Sequence, residues 1–370
     1  MRDKKHLILI DGSGYIFRAY HALPPMSRSD GVPVNAVYGF TRMLLKLVED
    51  SEGDWLGVIF DTARKTFRNE IYPEYKANRP PPPDDLVPQF SLIREATMAL
   101  GIPQAEMEGF EADDLIATYA TNAVADGNRV TIVSSDKDLM QLINDNITML
   151  DPIKNTLISY QEVEKRFGVV PAKVIDVQSL AGDTADNVPG VPGIGVKTAA
   201  QLILEFGNLD TLLERANEIK QPRRRQNLID YADQARISRN LVRLERDVPV
   251  ELDYTSFTLH EPDPNTLVKF LREQGFKSLL SSIQLEDSEG CISKNTNSFD
   301  EKENGKVNSY TLIQNIELLH KWVDSATEQG IVAVDTETDS LDSLNANLVG
   351  VSLALPKPVD NASACYLPLG

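Results

Sequence analysis

Soft metal ligands are scarce in this chain, which has two cysteines, Cys291 and Cys365, and four histidines among 370 residues. The cysteines support no disulfide framework, and without a His/Cys cluster a zinc site is excluded. A reducing cytoplasm suits such usage. Long apolar runs are missing too. Leu7–Ile10 is too short for a signal peptide despite Arg2, Lys4 and Lys5 before it, and no segment approaches the length of a membrane span. No membrane partner is therefore expected. The turn after Asp11 lacks both the dinucleotide fingerprint and the Lys-Ser/Thr of a P-loop. Positive charge is also short: 37 Lys+Arg face 55 Asp+Glu, a net −18 that taken alone argues against a nucleic-acid partner.

What the sequence has is carboxylate, gathered in small groups at the edges of apolar runs. Leu7–Ile10, Leu56–Phe60 and Arg129–Val133 read as buried parallel strands ending in Asp11, in Asp61, and in Asp136 with Asp138. Strand ends are where open α/β sheets bind their ligands. Glu111, Asp113 and Asp114 open a helix running to Ala125, and Asp183 and Asp186 follow at i and i+3 within Leu180–Pro189. Asn35–Val48 and Tyr160–Phe167 read as helices. Asp84 and Asp85 read as caps of a helix to Leu100, Ile102–Glu106 as a link, and 146–150 with 156–159 as a short strand pair.

Nine such acids cannot converge without cations. Hard oxygen donors in this number call for Mg²⁺ or Mn²⁺, and two such ions about 4 Å apart suit phosphodiester hydrolysis. The residues alone leave nuclease, phosphatase and ordinary structural caps open. The charge objection weakens when the chain is divided. Residues 1–290 hold 32 Lys+Arg against 44 Asp+Glu, a difference of −12, and setting aside the nine acids leaves −3.

Three stretches suit a nucleic-acid backbone. Arg64, Lys65, Arg68, Lys76 and Arg79 are interleaved with aromatics and closed by Pro80–Pro83. The glycine-rich stretch with Gly190, Gly193, Gly195, Lys197 and Thr198 reads as a hairpin between two helices that can aim N–H groups at a phosphate. Arg236, Arg239, Arg243 and Arg246 are spaced to share a helical face, with Arg223–Arg225 nearby. Asp287–Asn308 is polar and reads as a linker. Beyond it come a helix over Ile313–Thr327, a strand Gly330–Val334 running into Asp335, Glu337 and Asp339, and a hairpin partner Leu348–Leu355. One or two strands cannot bury an α/β core, so 309–370 reads as an incomplete domain.

Leu9-Ile-Asp11-Gly-Ser, Tyr75-Lys76-Ala-Asn-Arg79-Pro, Gly109-Phe-Glu111-Ala-Asp113-Asp114, Ser135-Asp136-Lys-Asp138-Leu and the run from Gly182-Asp183 through Asp186-Asn to Gly195 and Lys197-Thr together resemble the 5′-3′ exonuclease (flap endonuclease-like) domain family of bacterial DNA polymerase I, over about residues 1–290. The resemblance implies a doubly wound, mostly parallel α/β sheet with a helical arch and a helix-hairpin-helix. The nuclease core would be 1–175 with its arch at about 64–90, and the helical DNA-binding part 176–286 with the helix-hairpin-helix at about 188–206. It assigns one Mg²⁺ or Mn²⁺ chiefly to Asp11, Asp61, Glu111 and Asp113, with Asp114 and Asp136 near it, and the second to Asp138, Asp183 and Asp186. Lys76 would contact the scissile phosphate with Arg79 beside it, forming the catalytic set with Asp11 and Asp113. The hairpin would grip DNA through a backbone-bound K⁺.

The implied partner is DNA with a 5′ flap, nick or RNA primer, handled by a monomer in the nucleoid-associated cytoplasm during replication and repair. The contrasting reading is a non-catalytic flap-binding module, which leaves the acids without purpose. A phosphatase leaves the hairpin and basic stretch without one. Residues 309–370 resemble the start of a 3′-5′ proofreading domain, with Asp335 and Glu337 as its first metal pair. The later carboxylates, palm and fingers are not in the sequence, so neither proofreading nor synthesis is expected of this chain, whether it is a fragment or a truncated product.

Overall fold

The computed structural model describes residues 4–50, 53–62, 65–281, 309–338, 347–360 and 362–369, and divides into two compact units, Met1–Ser293 and Lys294–Gly370. The expected linker Asp287–Asn308 lies outside the described residues, as do Arg64 and Asp339.

The first unit is built on a six-stranded sheet. Its strands are β1 (His6–Asp11), β2 (Trp55–Ile59), β3 (Gln104–Ala105), β4 (Arg129–Val133), β5 (Ile147–Asp151) and β6 (Thr156–Ile158). They lie in the order β3-β2-β1-β4-β5-β6, parallel except for β6, which returns antiparallel beside β5. The chain winds outward from β1 in both directions, so the sheet reverses its order between β1 and β4. Side chains of β1 alternate between two cores, because successive residues in a strand face opposite sides. Leu7 and Leu9 pack with α5 (Ala112–Ala125), whereas Ile8 and Ile10 pack with α1 (Gly12–Ala22), α2 (Asn35–Glu49) and α4 (Gln89–Ala99). All four are buried, and each contributes about 1.5–3 kcal/mol of transfer free energy.

Local chemistry sets the element ends. Asp11 closes β1 and also caps α1, its carboxylate accepting from Gly14 N–H at 2.8 Å. Helix α5 opens with a capping box in which Glu111 accepts from the Asp114 amide and Asp114 accepts from the Glu111 amide. Three expectations shift. Asp84 and Asp85 do not cap α4; they sit in the turn before it, where Asp85 accepts from Tyr20 O–H and the helix starts after Pro88. The link 102–106 contains β3. The arch segment holds only the five-residue α3 (Phe67–Ile71), followed by turns and the proline run, because proline cannot continue a helix.

After α6 (Tyr160–Phe167) come α7 (Val174–Ala181), α8 (Val196–Phe206), α9 (Leu209–Glu214), α10 (Pro222–Asp230), α11 (Ala232–Val242) and α12 (Pro264–Glu273). The expected division at 175/176 falls inside α7, and one apolar core runs from β1 and α5 through α7, α8 and α9 without a break. The four arginines also do not share one helical face. Helix α11 ends at Val242, so Arg243 and Arg246 lie beyond it, and Arg236 and Arg239 pair with Asp233 and Asp210. Among the described residues no helix is long and apolar enough to cross a membrane.

The second unit is a four-stranded sheet of β7 (Ser309–Leu312), β8 (Ala333–Thr338), β9 (Leu348–Val359) and β10 (Ala362–Pro368), in the order β7-β10-β9-β8. Helix Ile316–Gln329 packs Trp322 onto it, with Ile313, Leu355, Val359 and Cys365. This unit has more strands than expected, and its helix starts at Ile316 rather than Ile313, because Ile313 N–H donates to the Tyr366 carbonyl and Asn315 caps the helix by accepting from Leu318 N–H. Strand β8, which carries Asp335 and Glu337, is an exposed edge strand.

The loop between α7 and α8 has three glycines at positive φ, Gly193 (φ 77°) and the pair Gly182 (φ 69°) and Gly190 (φ 60°). The pair packs backbone to backbone: a Cβ on Gly190 would lie 2.7 Å from Gly182 Cα. Replacing Gly190 by Ala is expected to cost about 1–3 kcal/mol or more, from the positive φ and the clash together, read as a lower midpoint in urea unfolding. Gly193→Ala, whose Cβ meets only the Asn227 side chain at 3.7 Å, should cost less.

Candidate active site

At the carboxyl edge of β1, β2 and β4 lies a cavity of about 170 Å³ lined by seven carboxylates: Asp11, Asp61, Glu111, Asp113, Asp136, Asp138 and Asp186. Lys76, Arg79 and Tyr75 line it as well. Its place is the point where strand order reverses, the crevice in which doubly wound sheets bind ligands. A larger cleft of about 370 Å³ lies elsewhere, between α6 and α8, and offers one acid, Glu164, and one lysine, Lys173.

Backbone and hydroxyl groups fix the acids individually. Ser134 O–H donates to Asp11 Oδ2 at 2.8 Å and accepts from Asp136 N–H at 3.0 Å. Asp138 N–H donates to Asp136 Oδ1 at 2.8 Å, and Gln178 donates its amide to Asp138. Asp61 accepts from Ala112 N–H at 2.8 Å while its own N–H donates to Ser13 Oγ at 3.2 Å, which links the end of β2 to the start of α5. Arg94 stacks over Phe60 and donates to the Asp61 carbonyl at 2.9 Å, supporting the same turn.

Basic side chains balance part of the charge. Lys76 Nζ is 2.9 Å from Glu111 and 3.7 Å from Asp186, Arg79 pairs with Asp186, and Lys137 pairs with Asp183. Burial works against the Lys76 charge, yet Glu111 and Asp186 outweigh it and raise its pKa. Burial likewise pushes Glu111 upward, and Lys76 and Arg68 reverse this to a net lowering. Three acids, Asp11, Asp113 and Asp138, stay raised. Burial first, then the charges of Asp136, Asp11, Glu111 and Asp61, drive Asp113 well above its ordinary range. For the same reasons Asp11 is pushed up to about 6 and Asp138 to about 7.

Two expected assignments are corrected. Arg68 is not at a DNA surface: its side chain is 1% exposed and donates to both oxygens of Asp114 at 2.7 Å. It also donates to the Leu241 carbonyl at 2.8 Å and the Arg243 carbonyl at 3.2 Å. Asp114, 0% exposed, further accepts from the Glu111 and Glu245 amides, so its lone pairs are occupied and it does not face the cavity. Asp114 follows Asp113 by one residue, about 100° round the helix, and so points into the protein while Asp113 lines the cavity. Gly190 is a third correction, because it is buried and its N–H donates to Ser238 Oγ at 3.0 Å.

Gly193, Gly195 and Lys197 are exposed and Thr198 half-buried around the start of α8. Asp183 is buried, turned to Lys137, and outside the cavity lining. The sequence reading passed over Tyr75, whose O–H donates to Glu111 at 3.3 Å, and over Ser134 and Gln178. Tyr75 stands beside Lys76 in an aromatic-basic run and opens the motif Tyr75-Lys76-Ala-Asn-Arg79-Pro, the two signals that pointed to it.

The donor set fits hard divalent cations. It is all carboxylate oxygen, mutually repelling, and graded from buried Asp11, Glu111 and Asp186 to exposed Asp61, and no cysteine or histidine lines the cavity. Among the described residues no three acids are arranged to hold one ion as they stand, since Glu111, Asp186 and Asp183 are turned to lysine or arginine.

Residues 6–168 match the family model described as 5′-3′ exonuclease, N-terminal resolvase-like domain, and residues 169–265 that of 5′-3′ exonuclease, C-terminal SAM fold. A 5′-3′ exonuclease of Aquifex aeolicus is 38% identical over 281 residues, covering 75% of this chain and 95% of its own length. The chain belongs to the 5′-3′ exonuclease family. DNA polymerase I of Rhizobium leguminosarum is 42% identical over 446 aligned residues, covering 100% of this chain and 44% of that protein. The chain thus spans less than half the length of the curated polymerase relatives it matches. Among solved structures, the bacteriophage T5 flap endonuclease in complex with DNA and metal ions aligns with a TM-score of 0.55 at 21% identity, over 73% of this chain and 97% of its own, a likeness of fold.

Two outcomes are expected of the family member described here. Arg68→Met leaves Asp114 buried and unpaired and should cost about 3–5 kcal/mol in denaturant unfolding, most of it regained in the double variant Arg68→Met/Asp114→Leu. Asp11 and Asp138, raised to about 6 and about 7, bind protons in the folded state that the unfolded chain has released. Metal-free protein should therefore lose thermal stability as pH rises from about 4 through about 7, and Asp138→Asn should flatten that slope.

Proposed function

We propose that this chain is a structure-specific 5′ nuclease that hydrolyses phosphodiester bonds in DNA, and in RNA primers paired to DNA, with two Mg²⁺ or Mn²⁺. The observation that carries the reading is the cavity where seven carboxylates meet Lys76 and Arg79 at the carboxyl edge of the sheet. Asp11, Asp61, Glu111, Asp113 and Asp136 would hold one ion and Asp138, Asp183 and Asp186 the other. Bound there, divalent ions supply a more acidic water and charge stabilisation on the phosphate.

The chain's own groups do the rest. Lys76 and Arg79 presently neutralise Glu111 and Asp186. Glu111 and Asp186 would serve as ligands of divalent ions, which would leave Lys76 and Arg79 to face the phosphate oxygens, Lys76 nearest the scissile bond. Charge gathers on these oxygens in the transition state, so cationic donors already aimed at them lower the barrier. Tyr75, buried against Glu111, keeps that carboxylate oriented. Exposed Gly193, Gly195 and Lys197, with half-buried Thr198, surround the start of α8 and suit the backbone of the uncleaved duplex, with K⁺ as their ion.

Duplex shape rather than base identity sets the target, a 5′ flap, nick or primer end, and affinity falls with salt. The T5 relative solved with DNA and metal ions supports this reading. The role fits primer removal and repair by a monomer in the cytoplasm. Asp335 and Glu337, two apart on β8 and so on one face, form the opening metal pair of a 3′-5′ exonuclease-like domain.

The test is cleavage of a 5′-labelled double-flap DNA in Mg²⁺ and in EDTA. A Mg²⁺-dependent product ending at the junction is expected, with no turnover of a small phosphate ester. Asp113→Ala should abolish cleavage and metal binding together. Lys76→Ala should lower kcat by about 10²–10³-fold with duplex binding kept. Tight flap binding without cleavage in either condition would leave a non-catalytic binding module.

A further inference from the structure

The segment that carries Lys76 is tied to the loop between α7 and α8 by a reciprocal exchange of side chains. Asn78 Nδ2 donates to the Thr184 carbonyl at 2.7 Å, and Asn187 Nδ2 donates to the Glu74 carbonyl at 2.6 Å. Between them the Lys76 N–H donates to the Asp186 carbonyl at 2.9 Å. Each loop thus gives one amide side chain to the other's backbone, on either side of a backbone-to-backbone bond.

Both loops are bent into place at this contact. Lys76 (φ 56°) and Asn187 (φ 57°) are two of the four non-glycine residues at positive φ among the described residues. Lysine gains nothing from that conformation by itself, so the surroundings must hold it there. The bend decides where Nζ points. With the N–H fixed on Asp186 and the backbone left-handed, the side chain reaches Glu111 and Asp186 across the cavity. The second loop is rigid in its own right: Asp183 and Val188 exchange N–H···O bonds at 2.9 and 2.7 Å, and Gly190 packs on Gly182.

We propose that Asn78 and Asn187 are positioning residues that hold Lys76 in its left-handed, cavity-facing conformation, so that the loop leading into the DNA-facing hairpin sets the aim of the phosphate-contacting lysine. The inference rests on the role given to Lys76 above. Neither asparagine lines the cavity, and each acts through backbone carbonyls of the opposing loop. The same loop continues through Gly190 to the exposed hairpin, so a duplex seated on the hairpin and the lysine at the scissile phosphate share one short, stiff connection.

The experiment is a double-mutant cycle on the full chain, with kcat, KM and duplex Kd measured on the flap substrate. Asn187→Gly removes the amide while tolerating the positive φ, and Asn78→Ala removes the other amide. Each is expected to lower kcat by about 3–10-fold, the worth of one hydrogen bond, with Kd unchanged. In a Lys76→Ala background neither should lower it further. Equal losses with and without Lys76, or a weaker Kd at unchanged kcat, would overturn the proposal while leaving the nuclease reading intact. Full activity of Lys76→Ala alone would overturn the role of Lys76 itself, a result separable from the others.

Discussion

Crowded negative charge is the constraint on which this fold turns. Parallel strands deliver their carboxyl ends to one edge, and here those ends carry acids whose mutual repulsion and burial raise Asp11, Asp113 and Asp138 well out of the usual carboxylate range. Such a site is stable only if something positive enters it. Lys76, Arg79 and Lys137 do so in part, each attached to an acid on another element. The rest of the molecule holds these charges at fixed distances. Sheet, helix caps and hydroxyls point the oxygens inward, and a continuous apolar core behind them keeps the frame from relaxing.

The buried pair Arg68–Asp114 belongs to that frame, and Arg68 also reaches the cavity lining beside Glu111. It gathers the arch segment, the first turn of α5 and the stretch after α11 around one guanidinium, whose hydrogen bonds are met by two carboxylate oxygens and two carbonyls. An ion pair hydrogen-bonded in this way adds little net stability over a hydrophobic replacement of equal shape, but it permits few alternative arrangements. Its neighbour Glu111 is set by the same capping box, so the structural and functional acids of α5 are fixed by one local motif.

Much of this was legible in the sequence because it is local. Apolar runs of four or five residues ending in Asp mark β1, β2 and β4, and Glu111-Ala-Asp113-Asp114 marks a helix start. The family motifs lie within short stretches whose spacing survives in the chain. What the sequence hid is non-local. Whether an acid faces a cavity or an arginine depends on where helix α5 is rotated, so Asp113 and Asp114, adjacent in sequence, part company. Arg68 looks like its basic neighbours until Leu241 and Arg243 are placed beside it. The short α3 was obscured for another reason: the aromatic-basic stretch carries helical composition up to Tyr72-Pro73, and the proline ends it.

The partners of Arg68 also order events in time. A ribosome makes the chain from its N-terminus, so every acid from Asp11 to Asp186 emerges before the carbonyls of Leu241 and Arg243 and the amide of Glu245 that complete the buried network. Until then, the guanidinium and Asp114 have only each other and the α5 cap. The sheet can assemble from the first 160 residues or so, by domain-wise growth of a nascent chain. The arch segment has no complete anchor in that interval. The nuclease pocket therefore gains its final shape only after α11 and the residues that follow it have left the ribosome, well after the acids that line it.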